Sequence, residues 1–238
     1  MKVLELFAGT RSVSRAFERS NGHETYCVEF DTKHKNIDWY VDINQISAQA
    51  LVDRFGVPDV VWASPPCQSY SVAAIGHHRQ KEKDGTLSPK TDFARASDRL
   101  LAHTLEIIHD LQVMNPNIIY FIENPMAGMR KMKCMQDIPR YLITYCQYGD
   151  TRMKPTDIWT NHPDPQFKPA RHYGDSCHVK APRGSRCGTQ AIKGAKDRSR
   201  IPDQFCDHIV ELCENYRPTD CGLPLIPLKS SQRDLTQY

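Results

Sequence analysis

The sequence predicts an α/β protein with a mostly parallel sheet covered by helices on both faces. Short apolar runs alternate with longer amphipathic stretches along most of the chain. Such alternation is typical of strand–helix–strand units, which place successive strands in parallel. Prolines mark several boundaries, because Pro65-Pro66 interrupts an apolar run and Pro116 closes the longest amphipathic stretch.

The individual elements follow from the period of the apolar residues. The predicted strands cover residues 2–7, 25–30, 39–41, 59–63, 117–122, 142–146 and 157–160. The predicted helices cover residues 11–20, 45–55, 92–115 and 203–216. Leu101, Leu105 and Ile108 lie at helical spacing within the third of these helices, which predicts one buried face.

Composition favours one sizeable soluble domain with room for a small lobe. Of the 238 residues, 39% are hydrophobic and 25% are charged, which excludes a membrane protein or a disordered chain. The first predicted strand starts at residue 2, so we expect no signal segment. The nine cysteines are then expected to be free thiols in a reducing cytoplasm, bacterial or that of a phage-infected host.

Three predicted strand ends offer groups that suit an adenosine ligand. Gly9 forms a turn between the first strand and the first helix, and Glu29 ends the second strand. At this separation, nucleotide-binding folds hold a ribose with a carboxylate. Asp42 could accept a hydrogen bond from an adenine amino group while Ile43 covers the ring. Gly9 is the only glycine of the dinucleotide fingerprint, so any strand–turn–helix remains an alternative.

Cys67 is the strongest candidate for chemistry. It lies in Ser-Pro-Pro-Cys-Gln-Ser-Tyr-Ser, residues 64–71, directly after a buried strand. The prolines stop that strand and hold the cysteine in a stiff turn. In α/β sheets the carboxyl ends of the strands carry the active site. Glu123-Asn124-Pro125 also ends a predicted strand. Taken alone, a loop with an inert cysteine is the alternative.

In order and spacing, these motifs resemble those of the cytosine-5 DNA methyltransferases, over roughly residues 1–160. The resemblance is carried by Phe7-Ala8-Gly9, Glu29, Asp42-Ile43, Pro65-Pro66-Cys67-Gln68, Asp98-Arg99-Leu100 and Glu123-Asn124. The compact size is most similar to the short, phage-type members. The resemblance implies a Rossmann-like S-adenosylmethionine-dependent methyltransferase fold and methylation of C5 in a flipped-out cytosine.

The same resemblance implies a role for each residue. Cys67 would add to C6, Glu123 would hold the N3 edge, and Arg152, supported by Lys154, would hold O2 or a phosphate. S-adenosylmethionine, which leaves as S-adenosylhomocysteine, would contact Phe7, Ala8, Gly9, Thr10, Glu29, Phe30, Asp42, Ile43, Pro65 and Leu100. The nucleic acid would contact Ser64, Pro66, Gln68, Ser69, Ser71, Asn124, Lys154, Arg183 and Arg186. Residues 69–90 would form a lid that closes on DNA, with a solvated loop as the alternative.

Residues 161–202 are irregular and basic, with nine lysines and arginines against three acids. Such a segment suits a phosphate backbone, although a solvated loop is the alternative. We therefore predict a catalytic domain over 1–160, a target-recognition lobe over 161–202, and a C-terminal helix and tail over 203–238 that return to the catalytic domain. A lobe this small predicts a short or relaxed recognition sequence.

The sequence also departs from the family pattern. Pro125 replaces a valine, the Gln-x-Arg-x-Arg segment has no clean counterpart, and the glycine-asparagine segment near the C-terminus is missing. Cys177, His178 and Cys187, with His172 nearby, lack the Cys-x₂₋₄-Cys spacing of structural zinc sites, so no metal is predicted. We expect a monomer that acts on double-stranded DNA. RNA as the substrate and a catalytically silent nucleic-acid-binding relative are the alternatives.

Overall fold

The computed structural model describes residues 1–179, 199–218 and 222–228. Nine strands lie in this part of the chain: β1 (Lys2–Leu6), β2 (Glu24–Glu29), β3 (Trp39–Tyr40), β4 (Val60–Ala63), β5 (Arg79–Lys81), β6 (Leu87–Pro89), β7 (Ile119–Pro125), β8 (Arg140–Thr144) and β9 (Pro155–Thr160). The helices are α1 (Ser12–Ser20), α2 (Ala48–Phe55), α3 (Ile75–His78), α4 (Asp92–Met114) and α5 (Asp203–Asn215). A 3₁₀ helix also follows β8.

Seven of these strands form one sheet in the order β3-β2-β1-β4-β7-β9-β8. The first five in this order run parallel, and β9 is antiparallel to both β7 and β8. The chain moves outward from β1 to β3, then returns to the other side of β1 with β4. The order therefore reverses between β1 and β4, and α/β sheets bind their ligands at such a point.

Two cores lie on opposite faces of this sheet. Leu4 and Val61 pack against α2 and α4, whereas Val3 and Trp62 pack against α1 and α5. Adjacent residues of one strand thus enter different cores, as the pleat requires. Because both faces are covered, β4 reads as a continuous apolar run without polar alternation. The expected mostly parallel sheet with helices on both faces is confirmed.

The C-terminal helix packs on the N-terminal one. Arg19 of α1 pairs with Asp207 of α5 at 2.6 Å, and both Ser20 and His23 contact Glu214. Farther on, Leu223 and Ile226 are buried, and the carbonyl of Ile226 lies 3.0 Å from Nδ1 of His109 on α4. The described part of the tail therefore lies against α4.

The structure differs from the predicted elements most clearly at the end of β8 and in the loop after Cys67. The strand predicted over 142–146 is wrong at its end, because β8 stops at Thr144 and residues 145–148 form a 3₁₀ helix. Gly149, at a φ of 82°, ends that helix in the left-handed conformation, which favours glycine. The hairpin of β5 and β6 was also not predicted, because its strands are short and polar. No helix among the described residues combines the length and apolar character that crossing a bilayer requires.

Candidate active site

The turn after β1 is the first part of the site. Phe7, Gly9 and Arg11 all have positive φ values, of 58°, 49° and 56°. Left-handed backbone at Phe7 and Arg11 carries strain, and such strain is concentrated at functional sites. Backbone bonds from Ala8 to Val28 and from Arg11 to Ala8 fix the turn. The Arg11 side chain bonds Glu18 and the Cys27 sulfur.

Glu29 organises this turn from the neighbouring strand. Its Oε2 accepts a hydrogen bond of 2.9 Å from the Gly9 amide. Its Oε1 accepts from the Phe30 and Asp31 amides at 2.8 and 3.0 Å. The carboxylate is therefore fixed at the carboxyl edge of β2, and Oε2, with a single protein donor, retains acceptor capacity for a ligand hydroxyl.

The remaining predicted adenosine contacts differ in exposure. Phe30 is 71% exposed, which is unusual for a phenylalanine and leaves its ring open to stacking. Asp42 caps a short 3₁₀ helix by accepting from the Asn44 amide. Ile43 is 2% exposed and packs in the core, which leaves little of its side chain to cover an adenine ring. Thr10 bonds Ser12, and Leu100 lies partly buried on α4.

Cys67 follows β4 on the adjacent strand end. The Ser64 amide donates to the Leu6 carbonyl, which holds the start of the Cys67 loop against β1. Cys67 is half-buried, and its carbonyl accepts from the Tyr70 amide to begin a 3₁₀ turn. Pro66 and Gln68 on either side are exposed. The thiol thus lies in a turned, partly accessible segment beside the Gly9 turn, as the sequence predicts.

Asn124, at the end of β7, joins that strand to the Cys67 loop. Its side-chain amide donates a hydrogen bond of 2.8 Å to the Pro65 carbonyl. Both residues are buried, so water does not compete for this bond. The contact places the carboxyl ends of β4 and β7, and hence Cys67 and Glu123, at one edge of the sheet.

Glu123 and Lys154 form the charged part of the site. Glu123 is 7% exposed and accepts a hydrogen bond of 3.1 Å from the Tyr145 hydroxyl. The Lys154 ammonium lies 4.5 Å from the centre of the Tyr145 ring and is 5% exposed. Burial lowers the pKa of Lys154, while the negative charges of Glu123 and Cys67 oppose that shift. Lys154 is therefore a cation held close to both predicted catalytic groups.

Arg152 pairs with an acidic neighbour in the same turn. Its guanidinium is held by the Asp150 carboxylate, with Nε at 2.8 Å from Oδ1 and 3.0 Å from Oδ2. Burial alone would raise the pKa of Asp150, but hydrogen bonds and charge from Arg152 outweigh it and lower that pKa. The charge of Lys154 acts on both Cys67 and Glu123. Lys154 also has a φ of 29° before Pro155, a strained conformation.

A buried ion pair behind the loop was missed by sequence reasoning. Arg79, 3% exposed, binds both carboxylate oxygens of Asp98 at 3.1 and 2.7 Å. It also donates to the carbonyl and the hydroxyl of Ser69 and lies over the Tyr70 ring. The Tyr70 hydroxyl completes the cluster by donating to Asp98. The sequence analysis included Asp98 in the Asp98-Arg99-Leu100 motif, but this motif does not indicate that Arg79 on β5 is its partner.

The remaining predicted nucleic-acid contacts are spread over the loop. Ser69 is buried, and its hydroxyl accepts a hydrogen bond from Arg79. Ser64 accepts from the Trp62 indole, and Ser71 donates to the Gln68 carbonyl. The predicted contacts Arg183 and Arg186 lie outside the described residues.

The strand order, the glycine turn after β1 and the cysteine after β4 define a Rossmann-like S-adenosylmethionine-dependent methyltransferase fold. Residues 1–143 match the family model of the C-5 cytosine-specific DNA methylases. The chain is also 34% identical over 234 residues to a probable DNA (cytosine-5)-methyltransferase of Frog virus 3, covering 90% of this chain and 100% of that protein. The protein therefore belongs to the C-5 cytosine-specific DNA methylase family.

Two solved structures are similar to part of the chain. A DNMT2 mutant from Spodoptera frugiperda is 17% identical, with a TM-score of 0.44 over 67% of this chain and 49% of the other. The Dnmt2 methyltransferase of S. pombe is 16% identical, with a TM-score of 0.45 over 67% and 48%. The chain thus spans about half the length of these two proteins.

Proposed function

We propose that this protein methylates C5 of cytosine in double-stranded DNA through a covalent adduct of Cys67 at C6. One observation carries the proposal: the Asn124–Pro65 hydrogen bond joins the strand end that bears Cys67 to the strand end that bears Glu123. Cytosine C5 is too poor a nucleophile to take a methyl group unaided. The reaction therefore needs a thiolate that adds at C6 together with an acidic group that holds the N3 edge of the base.

The first step is addition of the Cys67 thiolate to C6. A carbon–sulfur bond forms, the C5–C6 double bond breaks, and its electron pair becomes available at C5. Glu123 holds the N3 edge of the base and favours the protonated form of the ring. This protonation offsets the charge that develops in the ring. Tyr145, whose hydroxyl donates to Glu123, fixes the orientation of the carboxyl group.

Lys154 supports this step electrostatically. Its positive charge, buried beside Cys67 and Glu123, favours the thiolate over the thiol. The ammonium also supports Arg152 in balancing charge on the pyrimidine O2. Arg152, whose guanidinium is held by Asp150, holds O2 or a neighbouring phosphate.

The residues at the ends of β1, β2 and β3 fit S-adenosylmethionine. A Cβ added at Gly9 would come into ordinary van der Waals contact with the Phe7 carbonyl oxygen at 3.8 Å and the His34 ring at 3.9 Å, and the Gly9 amide bonds Glu29, next to the exposed Phe30. When bound there, S-adenosylmethionine supplies the methyl group for C5 and leaves as S-adenosylhomocysteine. Loss of the C5 proton to a base and expulsion of the Cys67 thiolate then restore the aromatic ring.

The DNA substrate and a short or relaxed recognition sequence complete the proposal. The target base must leave the duplex, at a cost of a few kcal/mol, to reach Cys67. The exposed Pro66 and Gln68 border the thiol and can contact the strand from which the base leaves. A bisulfite map that confines methylation to one site of six or more base pairs would contradict the relaxed recognition.

The proposal is tested by methyl transfer from S-adenosylmethionine to duplex DNA and, in parallel, to RNA, with mass spectrometry of the digested nucleosides. We expect 5-methyldeoxycytidine from DNA and none with Cys67→Ala, which should still bind the cofactor. Cys134→Ala, another half-buried cysteine, is the matched control and should retain turnover. Product from RNA alone would show that RNA, and not DNA, is the substrate. Turnover by Cys67→Ala would show that Cys67 is not the nucleophile.

A further inference from the structure

A cluster of metal-ligating side chains lies outside the active site. Cys146, in the 3₁₀ helix after β8, meets Cys177 and His178 from the beginning of the basic segment. One ligand atom from each residue lies within 4.8 Å of the other two. The two cysteines are 31 residues apart in the chain, so no short sequence motif announces the cluster.

The distances in the cluster match the edges of a zinc tetrahedron. The sulfurs of Cys146 and Cys177 are 3.5 Å apart, and Nδ1 of His178 is 3.5 Å from the Cys177 sulfur. With usual zinc–sulfur and zinc–nitrogen bond lengths, tetrahedral geometry separates two sulfurs by about 3.8 Å, and a sulfur and a nitrogen by about 3.5 Å. The three side chains therefore need little rearrangement to share one ion.

The histidine ring offers Nδ1 to this cluster, 3.5 Å from the Cys177 sulfur. Its other nitrogen, Nε2, is buried and has no hydrogen-bond partner among the described residues. A buried polar atom without a partner costs free energy, so nothing in the described surroundings of the ring competes for Nδ1 by holding the ring through Nε2. The imidazole thus lies beside two thiols with one ring nitrogen unsatisfied.

We propose that Cys146, Cys177 and His178 bind a structural zinc ion that fastens the beginning of the basic segment to the catalytic domain. On binding, the two thiols lose their protons to solvent and two zinc–sulfur bonds and one zinc–nitrogen bond form. Water or a further donor fills the fourth position. This site revises the expectation of no metal, which rested on the missing Cys-x₂₋₄-Cys spacing.

The cluster lies where the beginning of the basic segment contacts the turn after β8, so a zinc ion there would join these two segments. The Val179 amide donates to the Thr151 carbonyl at 2.8 Å, and the Arg171 amide donates to the Thr144 hydroxyl at 3.0 Å. These bonds place residues 171–179 against the turn that carries Tyr145 and Arg152. A zinc ion would hold the same two segments together through bonds stronger than these single hydrogen bonds.

The test measures metal directly, in the full chain purified under reducing conditions without a metal-binding tag. Wild type should contain about one zinc ion per chain by elemental mass spectrometry. Replacement by Co²⁺ should give the thiolate charge-transfer absorption of a tetrahedral site. Cys177→Ser and His178→Ala should lose both signals, and because Cys177 is exposed and His178 half-buried, neither substitution removes a core side chain.

Matched controls separate this site from incidental binding. His172→Ala and Cys134→Ser remove a histidine and a cysteine outside the cluster and should retain the zinc. A chelator should lower the melting temperature of wild type and of both controls, but not that of Cys177→Ser. Wild type without zinc after incubation with zinc salt, or with a Cys146–Cys177 disulfide in its intact mass, would overturn the proposal. So would Cys177→Ser and His178→Ala variants that keep as much zinc as the controls.

Discussion

The side-chain amide of Asn124 donates a hydrogen bond of 2.8 Å to the backbone carbonyl of Pro65. This bond joins the ends of two parallel strands, one bearing Cys67 and the other Glu123. Asn161 makes a similar bond at the opposite end of β7, donating to the Ile118 carbonyl at 2.8 Å. The two asparagines therefore stabilise the two ends of one strand, and only Asn124 does so at the active-site edge.

Asn124→Asp should reduce kcat by roughly 10- to 100-fold, because losing a buried donor costs about 1–3 kcal/mol and here misplaces the Cys67 loop. The affinity for S-adenosylmethionine should change less than kcat, since all of the predicted cofactor contacts except Pro65 lie away from the Asn124 bond. Asn161→Asp is the control, expected to lower the free energy of unfolding without a selective loss of kcat. Equal kinetic effects of the two substitutions would contradict a positioning role for Asn124.

Lys154→Met should decrease turnover on the order of a hundredfold, as expected when one stabilising donor is removed. The midpoint of Cys67 alkylation should also move to higher pH, because the cation that favours the thiolate is gone. In wild type that cation is lost as pH rises through the pKa of Lys154, which burial lowers below its ordinary value of 10.5. Mass spectrometry of the Cys67 peptide against pH measures the shift.

Lys168→Met provides a matched control for Lys154. The Lys168 ammonium lies 5.0 Å from the centre of the Tyr148 ring, so it makes the same type of cation–π contact. The Lys168 ammonium also donates to the Gln147 carbonyl, and the midpoint should stay unchanged in this variant. An identical alkylation profile for Lys154→Met and wild type would remove Lys154 from the proposed mechanism.

Arg79→Met should destabilise the segment that follows Cys67, since breaking a buried ion pair costs about 3–5 kcal/mol. The expected signs are a lower melting temperature, faster proteolysis within residues 71–90, and a decreased kcat. Arg95→Met removes the exposed pair with Asp92 and should cost less than about 1 kcal/mol. A double-mutant cycle with Asp98→Asn should be strongly non-additive, and additivity would contradict the coupling.

Glu5→Gln should change how stability depends on pH. Burial raises the pKa of Glu5 above its ordinary value of 4.5, although the Ser14 and Val13 amides donate to it. The folded protein then holds this proton more tightly than the unfolded chain. Its stabilising effect is full below pH 4.5 and is lost as pH rises through the folded pKa.

Denaturant unfolding at a series of pH values measures this dependence. Relative to Glu5→Gln, wild type should lose stability as pH rises from 4.5 through the folded pKa. Parallel profiles for the two proteins would show that the buried carboxyl group at the amino end of α1 titrates as it does in the unfolded chain.

The sequence by itself determined the order of the elements and the groups at their ends. Apolar periodicity locates the strands, and strands that alternate with helices must run mostly parallel. Once β1, β2, β4 and β7 are parallel, Gly9, Glu29, Cys67 and Glu123 share one edge of the sheet. These conclusions need local pattern and chain topology alone, so they could be drawn before any contact was known.

Only the tertiary structure decided which side chains meet across the fold. The Arg152 pairing with Asp150, the Lys154 position beside Cys67, and the Arg79–Asp98 pair depend on side-chain directions that sequence spacing does not encode. Cys146 and Cys177 approach each other because a 3₁₀ helix replaces the end of the strand predicted over 142–146. Contacts between residues distant in the chain are set by packing and burial of the whole domain, which no local motif contains.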